Sequence, residues 1–179
     1  MRLMNLSITQ LRLWPKSLTI LALTMLLAAC GFHLRGEARM PFSTLYIEAA
    51  NPGSLMISEL RRSLEANHVK LAKTAEKAEV VLNIASDLPE KQILTLGGSG
   101  RVSEFQLRYR VSLRAYDNER REWLPSDELL LSRDFSYDDA QILAKESEEA
   151  LLYQSMRSDM VQQIMRRLSH AKPRIPPEK

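Results

Sequence analysis

The clearest pattern in the chain lies between residues 105 and 115. Phe105, Leu107, Tyr109, Val111, Leu113 and Ala115 alternate with Gln106, Arg108, Arg110, Ser112 and Arg114. A period of two marks a strand with one face on a core and one face in water. A second strand is predicted where Val80, Leu82 and Ile84 alternate with Val81, Asn83 and Ala85, running on less regularly through Ile93, Leu94 and Leu96. Gly97-Gly98-Ser99-Gly100 between them reads as a flexible hairpin loop, because a phosphate-binding loop needs a following Lys-Ser/Thr or a G-x-G-x-x-G spacing. Beyond the polar turn Asp117–Glu122 and Trp123-Leu124-Pro125, the stretch Leu129–Tyr137 is expected to pair back as an antiparallel strand. Near the start, Thr44–Ala49 is a short strand candidate and Asn51-Pro52-Gly53 a turn. Ser54 then caps a helix to about Asn67 whose stripe is Met56, Ile57, Leu60 and Leu64. From about Lys145 to Ser169 there is no Gly or Pro. Leu152, Met156, Met160, Ile164 and Leu168 recur at every fourth position, widened by Leu151, Val161 and Met165. That is an amphipathic helix on the order of 35 Å long. The order β-α-β-β-β-α predicts an α+β, two-layer sandwich, with two helices packed on one face of a four-stranded mixed sheet. A parallel first βαβ step would cross over right-handed.

The first segment has a different character. Arg2, Arg12 and Lys16 are its only charges, and the run from Leu18 to Ala29 has no charge, Pro or Gly. A basic stretch followed by roughly 7–15 apolar residues is a secretory signal. A membrane-spanning helix needs about 20. Leu27-Ala28-Ala29-Cys30 resembles the lipobox of bacterial lipoproteins, in which small residues admit the peptidase and the thiol takes the lipid. Cys30 is the only cysteine, so lipidation removes an otherwise odd reactive thiol and the domain must hold itself by its core. The resemblance implies an N-acyl and S-diacylglycerol lipid on Cys30 and no other cofactor. Gly31, where Asp would favour the inner membrane, points to the outer membrane. The expected organisation is a signal peptide over 1–29, a lipidated tether over 30–43, an α+β domain over 44–171 and a disordered Pro-rich tail over 172–179. The first 29 residues hold three of the 25 basic residues and no acid, leaving 22 charges of each sign. The high pI therefore gives no argument for nucleic acid.

Cys30-Gly31-Phe32-His33-Leu34-Arg35-Gly36, Ser103-Glu104-Phe105-Gln106, Leu143-Ala144-Lys145-Glu146 and Met165-Arg166-Arg167-Leu168 occur in this order along the chain. Together they resemble the LPS-assembly lipoprotein LptE family. The resemblance implies the same sandwich and a non-enzymatic role. It also implies partnership with the outer-membrane β-barrel LptD as plug and assembly factor. The ligand would be lipopolysaccharide, bound for insertion into the outer leaflet, with the domain on the periplasmic side and within the barrel lumen.

Lysines and arginines are the natural donors to a phosphorylated sugar. Lys145 matches a family lysine implicated in lipopolysaccharide contact; the alternative is a solvated side chain pairing with Glu148 or Glu149. Arg101 lies in the loop where the family carries a second basic residue, displaced by a few positions, with Gly98 at the matching place. Arg108, Arg110 and Arg114 share the polar strand face; Arg108 and Arg110 are candidates for ligand contact, the alternative being a solvated or cross-strand-paired face. His33, His68 and His170 lack metal-ligand spacing, and the acidic residues between Asp138 and Glu149 lack a calcium-loop pattern. No G-x-S-x-G or nucleotide loop is present. Two other readings stay open: a lipid-anchored accessory protein activating a cell-wall synthase, and a periplasmic lipoprotein hydrolase using carboxylates such as Glu104 and Asp134.

Overall fold

A computed structural model describes residues 40–174. The signal, Cys30 and most of the tether lie outside these residues, as does the chain beyond 174. Strand β1 (Thr44–Ala49) coincides with the short strand expected there. The turn that follows delivers Ser54 to the start of helix α1 (Leu55–Ala66), where its hydroxyl accepts from the Ile57 N–H at 3.1 Å. The predicted stripe of Met56, Ile57, Leu60 and Leu64 is fully buried.

The sheet has five strands, not four. After α1 the chain reverses through His68, whose φ of 62° is left-handed. Val69 drops into the core, and β2 (Lys70–Leu71) lies parallel to β1. Lys70 N–H donates to Ser43 O and Ala72 N–H to Leu45 O, both at 2.9 Å. Two residues carry no periodicity, so this strand left no sequence signature. A short 3-10 turn (Ala75–Lys77) leads into β3 (Val80–Leu96), which pairs parallel with the other side of β1. Strands β3, β4 (Val102–Tyr116) and β5 (Glu122–Ser136) form an antiparallel meander, and the sheet order is β2-β1-β3-β4-β5.

β1 covers only Val80–Ile84 of β3, so beyond residue 84 that strand has β4 as its single neighbour. Pro89 falls in this singly paired stretch of the 17-residue strand, and prolines are confined to edges and bulges of sheets. Pro125 falls at a register shift in β5, the outermost strand, which begins seven residues earlier than the apolar run Leu129–Tyr137 suggested.

Helix α2 (Ile142–Ser169) starts three residues before the expected Lys145. Only its second half is buried, through Met156, Met160, Val161, Ile164, Met165 and Leu168. Leu151, expected to widen the stripe, is exposed. The first half of α2 accompanies the outer reaches of β3, β4 and β5, where the core has thinned. Both helices contribute to one core with Leu45, Leu82, Ile84, Leu107, Val111 and Leu113. Each such side chain contributes roughly 1.5–3 kcal/mol on burial. Arg133 and Arg167 reach across from β5 and α2 to Asp159 and Asp127, pinning helix to sheet edge.

The β4–β5 turn is organised by Asp117, whose side chain is 5 % exposed. Its carboxylate accepts from the N–H groups of Glu119 (3.0 Å) and Arg121 (2.9 Å), from Arg121 Nε (2.8 Å) and from Trp123 Nε1 (3.1 Å). Part of the expected disordered tail is bonded to this region. Arg174 exchanges two backbone hydrogen bonds with Glu122, at 2.7 and 3.1 Å. Glu122 opens an edge strand, and Arg174 pairs with its outward backbone groups.

Candidate functional site

The four basic candidates divide into two pairs. Lys145 stands in the first turn of α2, where a positive charge opposes the helix dipole. Its Nζ donates to Glu148 Oε2 at 2.8 Å and to Ser136 Oγ at 3.1 Å, and its side chain is only 15 % exposed. It thus ties the helix start to the end of β5. Arg101 leaves the β3–β4 loop, which is closed by Gly100 N–H to Gly97 O at 2.9 Å and turned by Gly100 at φ +77°. Its side chain is 77 % exposed and lies 3.9 Å from Asp139, in the 3-10 turn just before α2. An exposed pair at that distance contributes little, so Arg101 is free to turn to another anion.

Arg108 and Arg110 lie elsewhere, on the sheet face opposite the helices. Arg108 Nη1 donates to Gln92 Oε1 at 3.5 Å. Arg110 sits 3.6 Å from Glu90 and 3.7 Å from Glu128. Arg110 is thus ion-paired across strands, whereas Arg108 meets only a neutral amide, and the Nε of each is buried without a hydrogen-bond partner among the described residues. Glu104 and Asp134, the carboxylates considered for hydrolysis, share this flat face. They accept from Thr95 Oγ1 and Gln106 Nε2, each at 2.9 Å.

The end of the molecule that carries Arg101 and Lys145 holds a group the sequence did not single out. Lys91 Nζ lies 4.1 Å from the centroid of the Phe105 ring, and Phe105 stacks on Phe135 and meets Tyr137 edge-on. The same ammonium pairs with Glu149 of α2 at 2.6 Å. Around these cations Ile93, Leu94 and Leu96 of β3 and Ile142 and Leu143 of α2 are exposed, Leu143 by 78 %. The signal was present in the apolar residues flanking the glycine loop and opening the helix. Their lack of one-sided periodicity hid it. This tip therefore combines apolar surface with three cations, the chemistry of a contact for an amphiphile with an anionic head. Among the described residues no three His, Cys, Asp or Glu side chains gather as a metal site, and no helix is long and apolar enough to cross a membrane.

The family model LptE, described as lipopolysaccharide-assembly, matches residues 42–168, from just before β1 to the last turn of α2. The chain belongs to the LptE family. The LPS-assembly lipoprotein LptE of Pectobacterium atrosepticum is 27% identical over 153 residues, covering 83% of this chain and 82% of the relative. That of Photorhabdus laumondii is 25% identical over the same shares of the two chains. Among solved structures, an uncharacterized lipoprotein B from Nitrosomonas europaea is similar at a TM-score of 0.67 and 42% identity, covering 78% of this chain and 90% of that one. The rare lipoprotein B of Shewanella oneidensis follows the same fold at a TM-score of 0.61 and 25% identity, over 69% and 91% of the two chains. The LptE match thus takes in both helices, all five strands and each of the four basic candidates.

Proposed function

We propose that this LptE-family protein is a lipid-anchored, outer-membrane component of lipopolysaccharide assembly that acts by binding, without catalysis. In this reading it partners an LptD-type β-barrel as plug and assembly factor, with Cys30 carrying the anchor. The observation that supports ligand binding is the tip. Lys91, Arg101 and Lys145 stand there beside exposed Ile93, Leu94, Leu96 and Leu143. Lipopolysaccharide offers phosphates next to acyl chains, and both halves of that chemistry have a counterpart. The polar sheet face, which carries Arg108 and Arg110, suits contact with the polar lumen of a large barrel.

The test has two arms. Affinity purification from detergent-solubilised outer membranes is expected to recover a large β-barrel; its absence would remove the partner from the proposal. Lipopolysaccharide binding is expected to weaken in Lys145→Glu more than in Lys145→Ala, with a further loss on adding Arg101→Glu. Each charge-assisted bond is worth roughly 1.5–3 kcal/mol at most, and less in high salt. Wild-type affinity in a folded double charge reversal would sink the tip as the contact site.

A further inference from the structure

At the side of the sheet away from β5, β2 covers only the first part of β1. Successive residues of a strand turn their backbone groups to opposite sides. Lys70 N–H donates to Ser43 O and Ala72 N–H to Leu45 O, so the odd-numbered residues of β1 face β2. Even-numbered residues face β3, on the side where Ala50 N–H donates to Ile84 O. β2 ends at Leu71, opposite Leu45. The N–H and C=O groups of Ile47 and Ala49 therefore point past its end, to the outside of the sheet, with no backbone partner among the described residues.

Such a row is a template for another extended chain. The outer stretches of β3 and β5 carry Pro89, Pro125 and register shifts, which blunt an edge. β1 holds no proline and pairs with β3 in unbroken register. Beside its open end lies a groove of about 580 Å³. Its lining combines apolar Ile47, Ala49, Pro52 and Leu71 with two cations, Arg61 of α1 and Lys73. Neither cation has an ion pair or side-chain hydrogen bond among the described residues. The acid of the lining, Glu48, is already engaged: it accepts from Asn83 Nδ2 at 2.7 Å and from the Tyr116 hydroxyl at 3.2 Å.

Two features select the occupant. A row of main-chain donors and acceptors is matched by an extended peptide, which presents its own at the same spacing, and not by a sugar or a lipid. Uncommitted cations beside that row favour a peptide with carboxylates. The remaining segments of this chain match poorly. Residues 30–39 carry Arg35 and Arg39 against Glu37, and residues 175–179 include Pro176 and Pro177, which have no N–H to donate. We propose that the open end of β1 takes an extended, acidic segment of a partner protein as an added strand, paired with Ile47 and Ala49 and held by Arg61 and Lys73. The inference depends neither on the tip as the lipopolysaccharide contact nor on the barrel as the partner.

The test uses the full chain in detergent. It is titrated with a synthetic peptide that alternates threonine and glutamate, while backbone amide exchange is followed by NMR. Saturable binding is expected, with slowed exchange at the Ile47 and Ala49 amides. Two control peptides, one N-methylated at every residue and one with lysine in place of glutamate, should each bind about tenfold more weakly or worse. The unmodified peptide should lose a similar factor against the Arg61→Glu, Lys73→Glu double variant; Arg61→Gln, Lys73→Gln replaces it if the charge reversal unfolds. Peptide binding should persist in the Lys145→Glu, Arg101→Glu tip variant, so failure at one site is distinguishable from failure at the other. The proposal is overturned by no saturable binding, by protection at other amides only, by equal affinity for either control peptide, or by unchanged affinity in the Arg61, Lys73 variant. It is also overturned if the chain dimerises and protects the same amides without peptide, which would give this edge to a second copy.

Discussion

Asp117 shows how much one side chain can organise. Burial alone acts to raise its pKa, but hydrogen bonds from Trp123 and Arg121 more than offset this and hold the carboxyl below its ordinary value. A carboxyl depressed in the folded state stabilises the fold above the unfolded-state pKa, and the contribution is lost as pH falls through the folded value. The Asp117 contribution is therefore complete at neutral pH and disappears below the ordinary 3.8. Asp117→Ala strands the Trp123 and Arg121 donors and should cost about 2–3 kcal/mol at pH 7. Asp117→Asn should cost less and flatten the acid limb of the stability curve. Urea unfolding from pH 7 to pH 3 measures both; an Asn variant with an unchanged acid limb would assign that limb to other groups. Lys145 is the opposite case. Its partners Glu148 and Ser136 are surface groups, so charge reversal there should alter ligand affinity far more than stability.

The division of α2 into a buried and an exposed half makes a contrast at the scale of the element. Met160→Ala removes a fully buried side chain and should destabilise by about 2–5 kcal/mol. Leu151→Ala, one of the expected stripe positions, should change stability by less than about 0.5 kcal/mol. Equal midpoint shifts in denaturant titration would contradict the placement of these two residues. The comparison also marks what was legible in the sequence. Where an element meets the core on one side, as α1 and the inner half of β4 do, periodicity names its buried residues correctly. It fails where the environment stops being one-sided. β2 is too short to have a period. The outer half of β3 is wet on both faces. β5 carries a proline at its fourth position, which an edge strand with a register shift tolerates. The tip followed the same logic: Arg101 and Lys145 were read through the family resemblance, while Lys91 and its aromatic neighbours depend on strand register that no local pattern reveals.

For the whole molecule, the proposed anchor on Cys30 and the folded domain are expected to be separable. The described residues share one continuous core, so a lipid on Cys30 is expected to govern location and not folding. Cys30→Ser should abolish incorporation of labelled fatty acid and leave precursor or misplaced protein. A soluble chain beginning at Gly31 should unfold at the same denaturant midpoint as the lipidated form. Fatty-acid labelling of the serine variant, or its normal fractionation with outer membranes, would refute the lipobox reading.

The sheet order also implies a sequence of events in time. β3, β4 and β5 are consecutive in the chain and joined by short turns, so their pairing closes small loops at low entropic cost. β1 can join β3 only after α1, β2 and the 3-10 turn have been laid between them. The meander is therefore expected to be structured in the folding transition state and β1 to dock afterwards. Val111→Ala in β4 should then chiefly slow refolding, whereas Leu45→Ala in β1 should chiefly accelerate unfolding. Stopped-flow rates across a denaturant series separate the two limbs. Slower refolding in the Leu45 variant than in the Val111 variant would reverse the order, making the long crossover, and not the meander, the step at which the chain commits to its fold.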